Sequence, residues 1–545
     1  VLARVRALLD EREDAFLSLR SAAPRMNLVR ATGTIGGLTL ISRVLGFVRD
    51  VLFARYAGAG LASDAFLIAF RLPNLFRALF AEGAFSAAFV PMFARTIGES
   101  GGDLSAGKRF AEEALSVLLP VLIVFTGIMV IAAGPVVWAL TGGFDDASPG
   151  KFELAVELTR ITFPYLLLIS LVSLLGGILN SMQRFWVNAA APILLNLSLI
   201  GGLVLFHSTT EIGTARVQAA AVTVAGIAQF VWLLWACLRA DVKLRLRAPR
   251  LTPQVKRLLS VIGPAALGAG AVQFNLLIST ALAARFLPEG AVSYLYYADR
   301  LNQLPLGIVG IGIGTALLPT LARQLGAKDD GQAMHTQNRA IELVLLLTLP
   351  AACALVVSAY PIIVALLQYG RFSAADSVAT AQALAAFSLG LPAYVLIKVL
   401  TPGFHARSDT RTPVRIAVAS MLVNLAGNLT LIWWLGVVGI ALSTALAAWV
   451  NAIALWWVLR RNGHFTIDAR LRRSVPRLIA ASLAMAAVLY GMNLLTADAL
   501  DDGLPVRVGA LTLLVGTGFV AYVAGVALFR AVSLSDVRSQ LTRRR

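Results

Sequence analysis

Five arginines are written into sequence that is apolar enough to cross a membrane. Arg43 and Arg49 interrupt the run TIGGLTLISRVLGFVRDVLFARYAG, Arg71 and Arg77 interrupt DAFLIAFRLPNLFRALFAEGAF, and Arg300 sits in SYLYYADRLNQLPLGIVGIGIG. A charge at bilayer depth costs on the order of 2.5–3.5 kcal/mol on insertion scales, so five facing lipid would cost upward of ~12 kcal/mol. They must face a wet interior cavity or sit in ion pairs. The planar guanidinium makes two parallel charge-assisted hydrogen bonds and stays protonated, which suits a phosphate. A membrane protein with a cationic interior is built to receive an anion.

The spacing adds detail. Arg43 and Arg49 are six residues apart and diverge by about 120° on a straight helix; Gly46 between them offers a bend. Arg71 and Arg77 have the same spacing with Pro73 between them, and proline breaks the helical ladder. Broken helices at membrane depth commonly mark a binding site. Four acidic residues lie close by in the sequence: Asp50, Asp64, Glu82 and Asp299. All four fit as counter-ions or gating partners of the arginines, and Asp64 and Glu82 also fit a coupling-cation site. Asn74 and Lys398 are further cavity candidates, and Lys398 also fits an interfacial, snorkelling position.

The elements that must position these residues are membrane helices. Of 545 residues 58% are hydrophobic and 14% charged, against about 25% charged in soluble domains. Apolar runs of the length needed for a ~30 Å core recur at 30–57, 61–95, 107–141, 152–183, 185–208, 214–240, 255–287, 291–324, 337–368, 374–402, 412–434, 436–460, 474–497 and 505–530. Runs this long and continuous are helices, because lipid leaves no partner for an open backbone. The fold class expected is an all-α polytopic membrane protein of about fourteen spans.

The net charge of +18 does not indicate nucleic acid, because the basic residues concentrate in alternate loops. Arg239, Lys243, Arg245, Arg247 and Arg250 fill one such loop; Arg460, Arg461, Arg470 and Arg472 fill another. The intervening loops hold Asp145, Glu211, Glu289, Asp376 and Asp501. This positive-inside pattern puts both termini in the cytoplasm. Residues 1–25 are charged and lack a signal-peptide core; they read as a cytoplasmic extension or an upstream start before Met26. Cys237 and Cys353 fall in separate spans and suggest no disulfide. The four histidines show no metal-ligand spacing.

The chain also repeats itself. Arg71 with Pro91 recurs as Arg300 with Pro319, Phe163-Pro164-Tyr165 as Leu391-Pro392-Ala393-Tyr394, and Asn196-Leu-Ser-Leu-Ile200 as Asn428-Leu-Thr-Leu-Ile432, all at offsets of 228–232. Six spans per copy give two parallel repeats around an axis along the membrane normal, an arrangement that brackets a central cavity. The domains expected are 1–25, a first lobe 26–250, a second lobe 251–462, and 463–545 with two extra helices and a basic tail.

Two motifs are decoys. Gly102 to Lys108 matches the front of a nucleotide-binding loop, but Arg109 stands where the magnesium-holding Ser or Thr belongs, so no nucleotide is expected. Gly307, Gly310, Gly312 and Gly314 fit close helix packing better than a dinucleotide fingerprint.

From Met26 to Arg530 the chain resembles the MurJ (MviN) family of lipid II flippases, within the superfamily of multidrug, oligosaccharidyl-lipid and polysaccharide exporters. The resemblance rests on SRVLGFVRD, RLPNLFRALFAEGAFSAAFVP, ITFPYLLLISLVSLLGGILN, YYADRLNQLPLGIVGIGIGTALLP and KVLTPGF. It implies a lipid II flippase of the bacterial inner membrane working by alternating access, not an enzyme. It implies Arg43, Arg49, Arg77 and Arg300 as cavity arginines and Asp64 and Glu82 as acidic positions. Some members have two adjacent basic residues where this chain has Arg77-Ala78. The resemblance further implies a hydrophobic groove for the undecaprenyl tail, formed by the last two helices; Ala480, Ala481, Ala484, Ala487, Gly509, Gly516 and Gly518 leave room for one.

The partners expected are lipid II and membrane lipids, with no cofactor; a coupling ion or the membrane potential supplies the drive. Three other readings stay open. A flippase for another polyprenyl-diphosphate sugar would show the same cavity charge. A multidrug cation antiporter would want membrane carboxylates facing its substrate, and a membrane glycosyltransferase would need catalytic carboxylates in sizeable loops. Arg→Lys at Arg49 or Arg300 is expected to impair function although charge is kept, because diphosphate needs the bidentate fork. Full rescue of a depletion strain by both lysine variants would show that charge alone suffices.

Overall fold

The computed structural model describes residues 28–77, 85–143 and 150–531; Glu82, Asp145, the extension 1–25 and the basic tail lie outside the described residues. Every regular element among the described residues is helical. The first repeat holds α1 (Leu28–Ala57), α2 (Leu61–Phe76), α3 (Phe85–Glu99), α4 (Leu104–Ile131), α5 (Ala133–Thr141), α6 (Lys151–Thr162), α7 (Pro164–Ser181), α8 (Phe185–Leu205) and α9 (Glu211–Arg239). The second holds α10 (Pro253–Phe286), α11 (Ala291–Gly326), α12 (Asp330–Val357), α13 (Ala359–Leu367), α14 (Ala374–Ser388), α15 (Leu391–His405) and α16 (Arg411–Arg461). Then come α17 (Ala469–Leu495) and α18 (Leu504–Leu528).

Counting α6–α7 and α14–α15 each as one bent span, nine helices among the described residues are long and apolar enough to cross a membrane. They take up ten of the fourteen expected spans, because α16 covers two. Its 51 residues would reach about 76 Å as a straight helix, more than twice the ~30 Å hydrocarbon core. Gly436, at φ 54° and ψ −126°, turns the chain back, in a backbone region that glycine alone enters at little cost. Asn424 then donates to Thr444 at 3.1 Å across the hairpin. The other four expected spans correspond to α1, α2–α3, α10 and α11. Three of these carry the interior arginines, so apolarity alone does not establish the count of fourteen.

Pro73 was expected to break its helix, yet α2 runs through it to Phe76. Proline removes the hydrogen bond to the carbonyl four residues back, here that of Ala69. The Thr162 hydroxyl on α6 donates to that oxygen at 3.2 Å instead, so the freed group is satisfied without opening the helix. Pro350 in α12 repeats the device: it frees the Leu346 carbonyl, and the Tyr522 hydroxyl on α18 donates to it at 2.6 Å. Likewise α1 is continuous through Gly46. The Gly102–Lys108 segment is a helix start, with Asp103 accepting from the Ser105 N–H at 2.8 Å to cap α4.

The repeats match in detail. The paired Pro164 and Pro392 each open the second half of a bent span. Asn196 on α8 bonds to Arg49 on α1, and Asn428 on α16 bonds to Ser279 on α10; Ser279 follows Arg49 by 230 residues. Both repeats end in a Trp–Arg stack, Arg239 over Trp235 at 4.4 Å and Arg460 over Trp456 at 5.4 Å, the pairing that anchors a span at the interface. Outside the repeats, α17 packs on α12 and α18.

Tyr522→Phe removes the donor from the Leu346 carbonyl and keeps the ring. It is expected to lower stability by about 0.6–1.7 kcal/mol. Unfolding of both proteins in detergent measures it, and no difference would mean that the carbonyl finds another partner.

Candidate functional site

The site is centred on a carboxylate shared between the repeats. Asp50 on α1 accepts from its neighbour Arg49 at 2.6 Å and from Arg300 on α11 at 3.0 Å. The Tyr296 hydroxyl, one helical turn before Arg300, donates to Asp50 at 2.8 Å. Arg49 also donates to Tyr296 at 3.2 Å and to the Asn196 side chain at 3.1 Å. The Asn196 amide in turn donates to the Ser42 carbonyl at 2.9 Å, which fixes α1 against α8. Arg49 and Asp50 are buried. Two guanidiniums on one carboxylate leave excess positive charge at the face that Arg300 presents.

That face lines a cavity of about 400 Å³ between α2, α10 and α11. Arg71, Arg77 and Arg300 lie around it with Asn74, Gln273, Asn275, Gln303 and Asp299. Asn74 accepts from Arg77 at 3.1 Å, Arg71 donates to the Leu276 carbonyl at 3.3 Å, and Gln303 donates to Asp299 at 2.6 Å. The wall offers strong donors and neutral amides together, which suits an anion carrying hydroxyl or amide groups.

The residues named from sequence are thus divided. Arg77, Arg300, Asn74 and Asp299 line the cavity, and Arg49 and Asp50 brace it from behind. Arg71 belongs to the wall, although the resemblance implied no role for it. Arg43 lines a separate cavity beside α7 and α8, with its guanidinium against Gly307 on α11. Lys398 is exposed on α15, within reach of the field of Arg43. The sequence reading missed Tyr296 and Asn196. The i,i+4 spacing of Tyr296 and Arg300 was a usable signal; Asn196 appeared only as a repeat marker.

Asp64 does not meet the arginines. It is buried at the far end of the cavity, where it accepts from the Gly290 N–H at 2.9 Å and from the Ser293 N–H and hydroxyl at 2.9 and 2.7 Å. These donors open α11, so Asp64 on α2 caps the second helix of the other repeat. Glu289 returns the contact, accepting from the Leu61 N–H at the start of α2 at 2.5 Å. Lys151 pairs with Asp64 at 2.8 Å. Beside them Arg371 bonds to Glu211 at 2.9 Å, and its N–H reaches the Arg55 carbonyl at 3.0 Å. Together these contacts close one end of the cavity.

A second cavity, about 890 Å³ and almost wholly apolar, lies between α12, α13, α17 and α18. Leu347, Pro350, Ala354, Leu489, Gly518 and Phe519 form part of its wall. Of the small residues picked out from sequence only Gly518 lines it. Ala481 packs against Gly525 instead; the groove is walled by both of the last two helices, as expected, and completed by α12 and α13.

A polytopic helical bundle with a polar, charged cavity between two parallel repeats, sealed at one end, is the build of a membrane transporter. The family model described as lipid II flippase MurJ matches residues 53–507. The probable lipid II flippases MurJ of Rhizobium tropici and Rhizobium meliloti (strain 1021) are 42% and 43% identical, covering 95% of this chain in each case and 98% and 97% of those proteins. The chain belongs to the MurJ lipid II flippase family. A solved lipid II flippase MurJ in an inward closed conformation superposes with a TM-score of 0.75 at 24% identity, over 91% of this chain and 98% of that one. An inward-facing MATE family transporter of the MOP superfamily gives 0.66 at 17% identity, over 77% and 95%. These two likenesses define the fold.

Asp64→Ala removes the cap of α11 and the carboxylate partner of Lys151. Breaking one side of a buried pair costs about 3–5 kcal/mol, enough to loosen the sealed end. With Ala59→Cys as reporter in a Cys237→Ser, Cys353→Ser background, labelling by a membrane-impermeant thiol reagent is expected to rise. Unchanged labelling would show that Arg371 and Glu289 hold the seal without it.

Proposed function

We propose that this chain carries lipid II, the undecaprenyl-diphosphate disaccharide-pentapeptide, from the inner to the outer leaflet of the bacterial inner membrane. The carrying observation is the cavity ringed by Arg71, Arg77 and Arg300. Its donors match a diphosphate, and its amides match the sugars beyond it. The family membership selects lipid II among polyprenyl-diphosphate sugars. The apolar groove beside α17 and α18 suits the prenyl tail, which stays in lipid while the head group crosses.

In this reading the lobes 26–250 and 251–462 rock about the axis between them. Both termini are cytoplasmic, so the Asp64 end faces the periplasm and the conformation described here is closed on that side. Opening outward requires the contacts of Asp64, Glu289 and Arg371 to part. The chemistry asked of the protein is recognition and not catalysis. A head group of about two negative charges moves outward downhill by ~4–5 kcal/mol at ~100 mV, so the membrane potential suffices as a drive; a coupling ion would add to it.

Depletion of the chain in its native bacterium should make lipid II accumulate in the inner leaflet. The wild-type gene should restore flipping and Arg300→Ala should not. Accumulation of a different polyprenyl-diphosphate sugar would replace lipid II in this reading, and rescue by Arg300→Ala would remove the cavity from it.

A further inference from the structure

The cavity beside Arg43 is separate from the arginine-ringed one and has a different character. It measures about 320 Å³, and Thr39, Ser42, Arg43, Asn180, Phe185 and Asn188 are among its lining residues. Asn180 lies in the last turn of α7 and Asn188 in the first turn of α8. The bent span α6–α7 begins at Lys151, beside Asp64 at the seal, and ends at Ser181. The pocket therefore sits at the end of the molecule opposite the seal.

Three side chains point to an unfilled role. Among the described residues Arg43 has no carboxylate partner, unlike Arg49 and Arg300, and the amides of Asn180 and Asn188 make no hydrogen bond, although both are half-buried. Their donors and acceptors are open to a guest in the pocket. The Arg43 guanidinium reaches across to the other repeat: a Cβ placed on Gly307 would lie 2.1 Å from it. Lys398 adds positive charge on the same side. From Arg43 to Arg49 is six residues, about 9 Å along α1.

We propose that this pocket is a capture site, distinct from the inner cavity, for a phosphate ester bearing a sugar. It rests on the flippase reading and divides that carrier's path into two stations. Arg43 holds a phosphate oxygen through its fork. Asn180 and Asn188 supply paired donors and acceptors for the sugar hydroxyl and acetamido groups, and Phe185 gives its apolar face a wall. The head group is first held here at the open end, then passes about 9 Å along α1 to the cavity of Arg71, Arg77 and Arg300. Gly307 is the space that lets Arg43 take its position.

The test uses the full chain in nanodiscs of zwitterionic lipid, with lipid II, undecaprenyl diphosphate and phosphatidylglycerol as separate probes. The Asn180→Ala, Asn188→Ala double variant should bind lipid II about tenfold more weakly and undecaprenyl diphosphate as well as wild type does, which also shows that it is folded. Arg43→Gln should weaken both, and Gly307→Ala, which displaces only the end of a flexible side chain, should resemble Arg43→Gln. Wild-type affinity of the double variant for lipid II overturns the capture site. Equal loss for lipid II and undecaprenyl diphosphate overturns the sugar assignment, and displacement of lipid II by equimolar phosphatidylglycerol would make the pocket an ordinary lipid contact. If wild type itself binds no lipid II, the flippase reading fails; if wild type and double variant both bind and flip it, this inference alone fails.

Discussion

Asp50 joins Arg49 on the first helix of one repeat to Arg300 on the second helix of the other, at 2.6 and 3.0 Å. In hydrocarbon neither guanidinium could stand alone, since each would cost several kcal/mol. Shared between them, one carboxylate lets both sit at membrane depth and still leaves net positive charge facing the cavity. The rest of the site follows from this bond. Tyr296 and Asn196 accept from two further N–H groups of Arg49, so α8 and α11 are held against α1 at the same level. Any rocking of the repeats must carry this cluster as a unit or break it against an anion that replaces Asp50.

The seal uses a different kind of electrostatics. Asp64, inside α2, caps the start of α11, and Glu289, just before α11, caps the start of α2, so each helix start is capped from the other repeat, though from different positions. The exposed N–H groups of a helix start carry partial positive charge and need acceptors. Here the acceptors are carboxylates from across the pseudo-symmetry axis, and the bonds exist only while the repeats touch. A closed end built this way is bistable by construction: parted, both helix starts are free to take water instead.

Much of this was legible in the sequence, and the failures have identifiable causes. The interior arginines and the repeat showed because charge and recurrence survive without coordinates. The reversal at Gly436 falls at the boundary between the expected spans 412–434 and 436–460, since 51 residues cannot lie in one crossing. Pro73 misled because local propensity is blind to Thr162, a hydrogen-bond donor 89 residues away in the chain. The role of Asp64 was hidden because two of its four donors are backbone N–H groups of another helix, which carry no residue signature, and the others lie on distant segments. The groove does involve the last two helices, but most of the small residues picked out for it lie elsewhere, because small residues mark close packing as readily as open space, and Ala481 against Gly525 is the former. The arginines were expected to share one role because they share one chemistry. A step of six residues along one helix, from Arg43 to Arg49, was enough to put them beside different cavities.

The two repeats place the same architecture around opposite electrostatics. At the position of Arg49 the second repeat has Ser279, whose hydroxyl bonds to Asn424 and Asn428, with Thr444 completing a neutral cluster. Asn196 and Asn428 are equivalent, yet one orients a cation and the other an uncharged hydroxyl. The first helix of the first repeat is charged and that of the second is neutral at matching depth. Four of the five interior arginines belong to the first repeat, and the fifth, Arg300, is tied to it through Asp50. Pseudo-symmetry thus supplies the paired walls of the cavity, while its violation supplies the cationic side chains along it. Across the cavity the first repeat presents Arg71 and Arg77 and the second presents the neutral amides Gln273, Asn275 and Gln303 beside Arg300, so an anion held there would be bound chiefly through side chains of, or tied to, the first repeat.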